Sequence, residues 1–219
     1  MQYEQSLGRK EGSADDSFAR ARRRVYWLLG VWGLLAAALS ASNIALRMPR
    51  PLIPALIWLP TLAVVVAFAR SERVRAVLRS IPLRVLVLYH VVRIVFGVGF
   101  VVLYAQGRLV ARFALTAGPG DIVAGVLGIA VALWALPAIS AARRRVVLAW
   151  NVLALADIML VFFTAQSILF SPDPSRLDRL RMFPWSMVAF GVVALILITH
   201  FLVFDRVRLL GRGGVPSRS

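Results

Sequence analysis

Six apolar runs, at residues 25–46, 52–69, 84–106, 121–139, 146–169 and 184–204, restrict this chain to very few folds. A helix needs about 20 residues to cross the hydrocarbon core of a bilayer, and each run is of that order. Backbone N–H and C=O groups in that core find no water, so they must pair within the helix itself. The expected fold is all-α, a polytopic transmembrane bundle of six spans. Composition agrees: 60% of residues are hydrophobic, only 16% are charged and the mean hydropathy is +0.78, well outside the range of soluble domains. The run that follows Arg24 is too long for the apolar part of a signal peptide and reads as the first span. Residues 1–24 form a polar N-terminal segment whose first dozen residues are expected to be disordered. Residues 25–208 form the transmembrane domain, and residues 209–219 a flexible tail.

The net charge of +16 would suggest a nucleic-acid partner in a soluble protein. Here nearly all basic residues lie in short segments between apolar runs, so a bilayer is the expected partner and nucleic acid is not. Lys and Arg number 18 in the N-terminal segment, the loops at 70–84 and 143–145 and the C-terminal tail, against seven in the other three loops. The positive-inside rule then puts both termini in the cytoplasm, in a bacterial inner membrane. The absence of cysteine excludes disulfides, thiolate metal sites and thiol catalysis.

Local signals refine this plan. Gly30, Gly33, Ala37 and Ser40 share a face of the first span and suit close helix packing, as do Ala124, Gly128 and Ala132 in the fourth. Residues 70–80 suit a short amphipathic helix on the membrane surface. Residues 107–121 read as a loop in which Gly118-Pro119-Gly120 turns into Asp121, the expected N-cap of the fourth span. Trp185 reads as an interfacial anchor. Ser40, Ser140, Ser167 and Ser186 read as packing or helix-end residues rather than nucleophiles.

Polar residues inside the runs mark the candidate site. His90 and His200, the two histidines of the chain, and Asn151 each lie five or six residues from a flanking charge. At 1.5 Å per residue they share a layer about 7–9 Å inside the cytoplasmic boundary. Arg93 lies one turn deeper than His90 on the same helix face, and Gly97, Phe100 and Tyr104 continue that seam. Asp157 falls about 18 Å from Arg145, near mid-membrane. A lone charge there costs about 2.5 kcal/mol or more, which pairing relieves, so an Arg93–Asp157 pair is expected. With Asp121, these residues form the candidate pocket: Arg93, Asp157, His90, His200, Asn151, Tyr104 and Asp121.

The motif order HVVR, LYAQGRLVARFALTAGPGDIVAG and AWNVLALAD resembles that of a family of uncharacterised bacterial integral membrane proteins. That family carries an Arg in the third span, a G-[RK]-L-P-x-x-F-A loop followed by A-G-x-G-D, and W-N then D in the fifth span. The matching residues are Arg93, Gly107, Leu109, Phe113, Ala114, Ala117, Gly118, Gly120, Asp121, Trp150, Asn151 and Asp157; Val110 stands in place of the proline. The resemblance implies a compact helical bundle and marks these residues as a candidate site, without an activity.

The expected function is a small, non-enzymatic membrane protein. Its polar pocket would bind or pass a small solute, or the chain would serve as a subunit beside a membrane-protein partner or a second copy. No inverted repeat relates residues 25–106 to 121–204, which argues against a self-sufficient carrier. The alternative is electron transfer through a haem b with His90 and His200 as axial ligands. An intramembrane hydrolase or transferase ranks third. A metal site is not expected, because Asp157 lies about 9 Å deeper than the histidines.

Overall fold

A computed structural model describes residues 2–137 and 140–212. It contains eight α-helices and no strand among the described residues. They are α1 (Gln2–Ala41), α2 (Leu52–Arg70), α3 (Glu72–Ser80), α4 (Leu83–Leu88), α5 (Val92–Ala105), α6 (Ala111–Ala130), α7 (Ala141–Leu169) and α8 (Val193–Arg212). A tight 3-10 turn at Tyr89–Val91 joins α4 to α5 in one rod. Wider π turns extend α6 through Val131–Ala135 and precede α8 at Val188–Val192. Such irregular turns inside helices often lie beside functional sites. Six segments are long and apolar enough to cross a membrane: Arg22–Ala41, Leu52–Arg70, Leu83–Ala105, Ala111–Ala135, Ala141–Leu169 and Val188–Gly211.

The bundle is organised around its last helix. The Val188–Gly211 segment is 61% buried, whereas Arg22–Ala41 is 11% buried, so α8 is central and α1 peripheral. Two apolar clusters fill the interior. One joins Phe68 of α2, Val87 of α4, Trp150 of α7 and Val203 of α8. The other joins Ile57 of α2, Phe100 of α5, Phe113 of α6, Ile158 of α7 and Leu197 of α8. Large apolar side chains such as Leu34, Leu59, Val95, Leu153 and Phe163 face outward, while His90, Arg93, Asp121, Asn151 and His200 are buried. That distribution is the reverse of a soluble domain's.

The largest correction to the sequence reading concerns residues 107–121. The expected loop is helix from Ala111 onward, and Asp121 lies in the middle of α6 instead of capping a span at 121–139. Gly118-Pro119-Gly120 is a packing notch, not a turn. A Cβ on Gly97 would lie 2.6 Å from the Gly118 carbonyl oxygen, and one on Gly118 would lie 2.7 Å from Val101. Glycine at these positions lets α5 and α6 approach closely, and that contact sustains the helix through the hydrogen bond Pro119 cannot make. Leu109, Phe113 and Ala114 are buried accordingly.

Other expectations shift less. The N-terminal segment is helical from Gln2, continuous with the first span. Its Gly30 and Gly33 meet nothing within 4 Å. The inward face of α1 is instead Trp32, which donates to the Phe190 carbonyl at 3.0 Å, Ala36, and Ser40, which bonds buried Ser186 at 2.6 Å. Ser140 caps α7 by accepting from the Arg143 N–H at 3.2 Å, so that helix starts at Ala141. The expected short helix is present as α3, capped by Ser71, with Val77 and Leu78 buried. The segment before α8 is a 3-10 run, Pro174–Arg181. Arg181 donates to the carbonyls of Ala45 at 3.0 Å and Leu46 at 2.8 Å, pinning the α1–α2 connection. Helix α8 continues to Arg212, and the rest of the expected flexible tail lies outside the described residues.

Candidate functional site

Arg93 sits between the two apolar clusters with none of its side chain exposed. Its guanidinium has five N–H groups in a planar fork, and the fold supplies acceptors on two neighbouring helices. Nε donates to Asp121 Oδ1 of α6 at 2.7 Å, Nη1 donates to the Ala154 carbonyl of α7 at 2.9 Å, and Nη2 donates to Asp157 Oδ2 of α7. The expected Arg93–Asp157 pair is therefore one arm of a triad. Asp121, counted in the candidate pocket from the sequence but expected at a helix end, is the third member. The signal that could have placed it mid-helix is the spacing on α6, where Phe113, Ala117, Asp121, Ala124 and Gly128 fall on one buried stripe.

Each carboxylate is positioned by a glycine nearby. A Cβ on Gly120 would lie 1.9 Å from Asp157 Oδ1, so the Asp157 carboxyl lies in the space a larger residue would fill. Gly118 and Gly97 bring α6 onto α5 beside Asp121. The side chain of Asp121 is 6% exposed and that of Asp157 is 21% exposed. Among the described residues Arg93 is the one cation paired with either acid. The triad thus holds two carboxyl groups against one guanidinium, and Asp157 is its more accessible member.

His90 and His200 form a second polar layer. Their ring centroids are 4.4 Å apart, and Asn151 joins them by accepting from His200 Nδ1 at 2.8 Å and donating to the His200 carbonyl at 3.2 Å. His90 Nε2 lies 3.1 Å from Thr199 Oγ1, whose own hydroxyl donates to the Ile196 carbonyl at 2.8 Å. With the hydroxyl proton so engaged, Nε2–H of His90 must be the donor to Thr199; by the same reasoning Nδ1–H of His200 donates to Asn151. His90 Nδ1 and His200 Nε2 are buried without a hydrogen-bond partner among the described residues. Trp150 closes the layer, its ring edge-on to His90 at 5.0 Å and its Nε1 donating to the Ala124 carbonyl at 3.0 Å. No group of three His, Asp or Glu residues able to hold a metal ion occurs among the described residues.

The cavity is walled partly by residues of the sequence reading, Phe100 of the seam, Phe113 of the motif and Trp185, and partly by apolar residues it did not single out. A chamber of about 100 Å³ lies between α2, α5, α6, α7 and the start of α8, walled by Ile57, Phe100, Phe113, Ile158, Val161 and Trp185. Gln166 lines it, with a buried Oε1 that has no partner among the described residues. A smaller space of about 30 Å³ shares Phe100, Phe113, Ile158 and Val161 with the chamber and reaches Arg93 and Asp121. Trp185, expected as an interfacial anchor, is half-buried against Phe100 and forms part of the wall. Tyr104 is 40% exposed and outside the site. Helix α5 ends at Ala105, and the turn at Gly107 folds the chain back over Leu103, which takes the buried position expected of Tyr104.

Residues 50–208 match the family described as Domain of unknown function (DUF8737). The chain belongs to this family. The matched region runs from just before α2 to the last part of α8 and contains the Arg93 triad and the histidine layer. It leaves out α1, the least buried of the six apolar segments. The chain matches no curated protein and no solved structure.

Proposed function

We propose that this is a multi-pass protein of the bacterial inner membrane, with both termini in the cytoplasm, that binds a small amphipathic solute between its helices. The observation that carries the reading is that the apolar chamber and the space beside Arg93 and Asp121 share Phe100, Phe113, Ile158 and Val161 as walls. An apolar body fits against Phe100, Phe113 and Ile158, and a polar end of the solute faces the triad at the inner end and Gln166 in the wall. Ligand sites are typically apolar pockets of this kind with a few convergent polar groups. The excess of acid over base in the triad favours a solute whose inner end donates hydrogen bonds or carries positive charge.

The orientation rests on the basic residues. Eighteen Lys and Arg on the side of the termini against seven on the other place that side in the cytoplasm. The arginine-rich α3 and the end of α8 meet on that side, through the pair Arg79–Asp205. The chamber, bordered by Gln166, Leu169 and Leu177, then lies toward the outer leaflet.

The test is extraction of the protein purified in mild detergent, followed by mass spectrometry of the released small molecules. Wild type should release an enriched amphiphile, and Val161→Trp, which fills the chamber, should lose it while keeping its helical circular dichroism. Absence of any enriched compound, or its retention by the tryptophan variant, would sink the proposal.

A further inference from the structure

A second cavity, of about 450 Å³, lies at the opposite end of the bundle, where the end of α2, α3 and the end of α8 meet. Its lining combines the aromatic rings of Phe68, Phe201 and Phe204 with Arg75, Arg79, Arg208 and Asp205. Three guanidinium groups therefore face one carboxylate.

Two of these cations are held in place. Arg75 donates from Nε to the Phe68 carbonyl at 3.2 Å and from Nη2 to the Ala69 carbonyl at 2.8 Å, capping the last turn of α2. Arg79 grips both oxygens of Asp205, at 2.8 and 2.7 Å, and Arg206 donates to the Arg79 carbonyl. The hydrogen bonds to Asp205 raise the pKa of Arg79 above its ordinary value, so its charge is permanent. The guanidinium carbons of Arg75 and Arg79 lie 5.9 and 5.4 Å from the centroid of the same Phe68 ring. Each of the two arginines uses only part of its five-donor fork in these contacts. Arg208 is exposed and unpaired among the described residues. Like charges fixed around one ring, with donors to spare and one counter-charge between three, form a site for an anion.

We infer that this cavity binds the phosphate headgroup of an anionic phospholipid, with the phosphate on Arg75, Arg79 and Arg208 and the glycerol region against Phe68, Phe201 and Phe204. The aromatic part of the lining favours a lipid over free phosphate. It continues into the outward apolar surface of α2, where Leu62 and Val66 are half exposed. The inference rests on the membrane-spanning reading of the chain and is independent of the solute chamber. Basic pockets between helices at the cytoplasmic side are suited to such headgroups.

Native mass spectrometry of the detergent-purified protein tests it, titrating phosphatidylglycerol, phosphatidylcholine and inorganic phosphate separately. Phosphatidylglycerol should remain bound where phosphatidylcholine does not, and Arg208→Gln should weaken it about five-fold. Arg208→Gln touches no internal contact, so its fold is preserved; adding Arg75→Gln should weaken binding further, by about the same factor. Arg108→Gln, at the other end of the bundle, should change nothing. Equal retention of both lipids, an unchanged affinity in Arg208→Gln, or an equal loss in Arg108→Gln would overturn the inference. Displacement of phosphatidylglycerol by equimolar inorganic phosphate would overturn the lipid as the source of the anion. A protein that stays dispersed without detergent would instead refute the membrane reading itself.

Discussion

The Asp157 carboxylate occupies the place where a side chain at residue 120 would begin. A Cβ on Gly120 would lie 1.9 Å from Asp157 Oδ1, so the position of the acid on α7 and the identity of the residue on α6 are one structural fact. Gly120→Ala should push Asp157 off Arg93 and destabilise the protein by about 1–3 kcal/mol, the usual cost of overpacking a well-packed site. The same change should cost much less in an Asp157→Ala background, where the obstructing atoms are gone. Thermal denaturation of the four variants in detergent measures this coupling, and equal costs in both backgrounds would disprove it.

Arg93 is held by two acids, so its loss should be more damaging than the loss of either one. Arg93→Ala strands both carboxylates, and removing one partner of a buried ion pair typically costs about 3–5 kcal/mol. Asp157→Asn, at a position still 21% exposed, should cost less than Asp121→Asn, at 6%. Arg93→Lys should fail to restore stability, because a single ammonium cannot reach Asp121, Asp157 and the Ala154 carbonyl together. Denaturation midpoints rank the variants; a fully stable Arg93→Lys would show that charge alone suffices.

The two histidines should carry their protons on different nitrogens. Partner geometry assigns Nε2–H to His90 and Nδ1–H to His200. Nitrogen-15 NMR of histidine-labelled protein distinguishes these tautomers directly, and one common tautomer would refute the assignment. Asn151→Leu removes both bonds to His200 and should cost about 1–3 kcal/mol for the polar groups left buried, while shifting the His200 signals most.

The chain has no cysteine, so orientation is open to single-cysteine labelling in whole cells. Arg108→Cys should react with a membrane-impermeant maleimide added outside. Ser6→Cys and Ser217→Cys should react only after the membrane is opened. Labelling of either terminus in intact cells would reverse the topology.

The polar layers were partly legible because helices convert residue counts into depth. His90, Asn151 and His200 read as one layer from their distances to flanking charges, and they meet. Arg93 and Asp157 read as partners from the cost of leaving either alone. Asp121 was misplaced because Gly-Pro-Gly has the local chemistry of a turn, and only the approach of α5 to Gly118 shows why the helix continues through it. The face of α1 was misread for a similar reason. Small residues permit close packing but do not require it, and Gly30 and Gly33 pack against nothing.

The sequence by itself determined that the chain is helical, that six segments are long and apolar enough to cross a membrane, and which polar residues those segments must hide. Those conclusions follow from length, hydropathy and the cost of unpaired backbone or charge, all of which are local. Tertiary structure alone decided that Asp121 joins Arg93, that Tyr104 stays outside, and that Phe100, Phe113, Ile158 and Trp185 wall a chamber. In a soluble helix the apolar stripe points to the core. Where both faces of a helix are apolar that contrast is lost, and only packing tells an inward phenylalanine from an outward one.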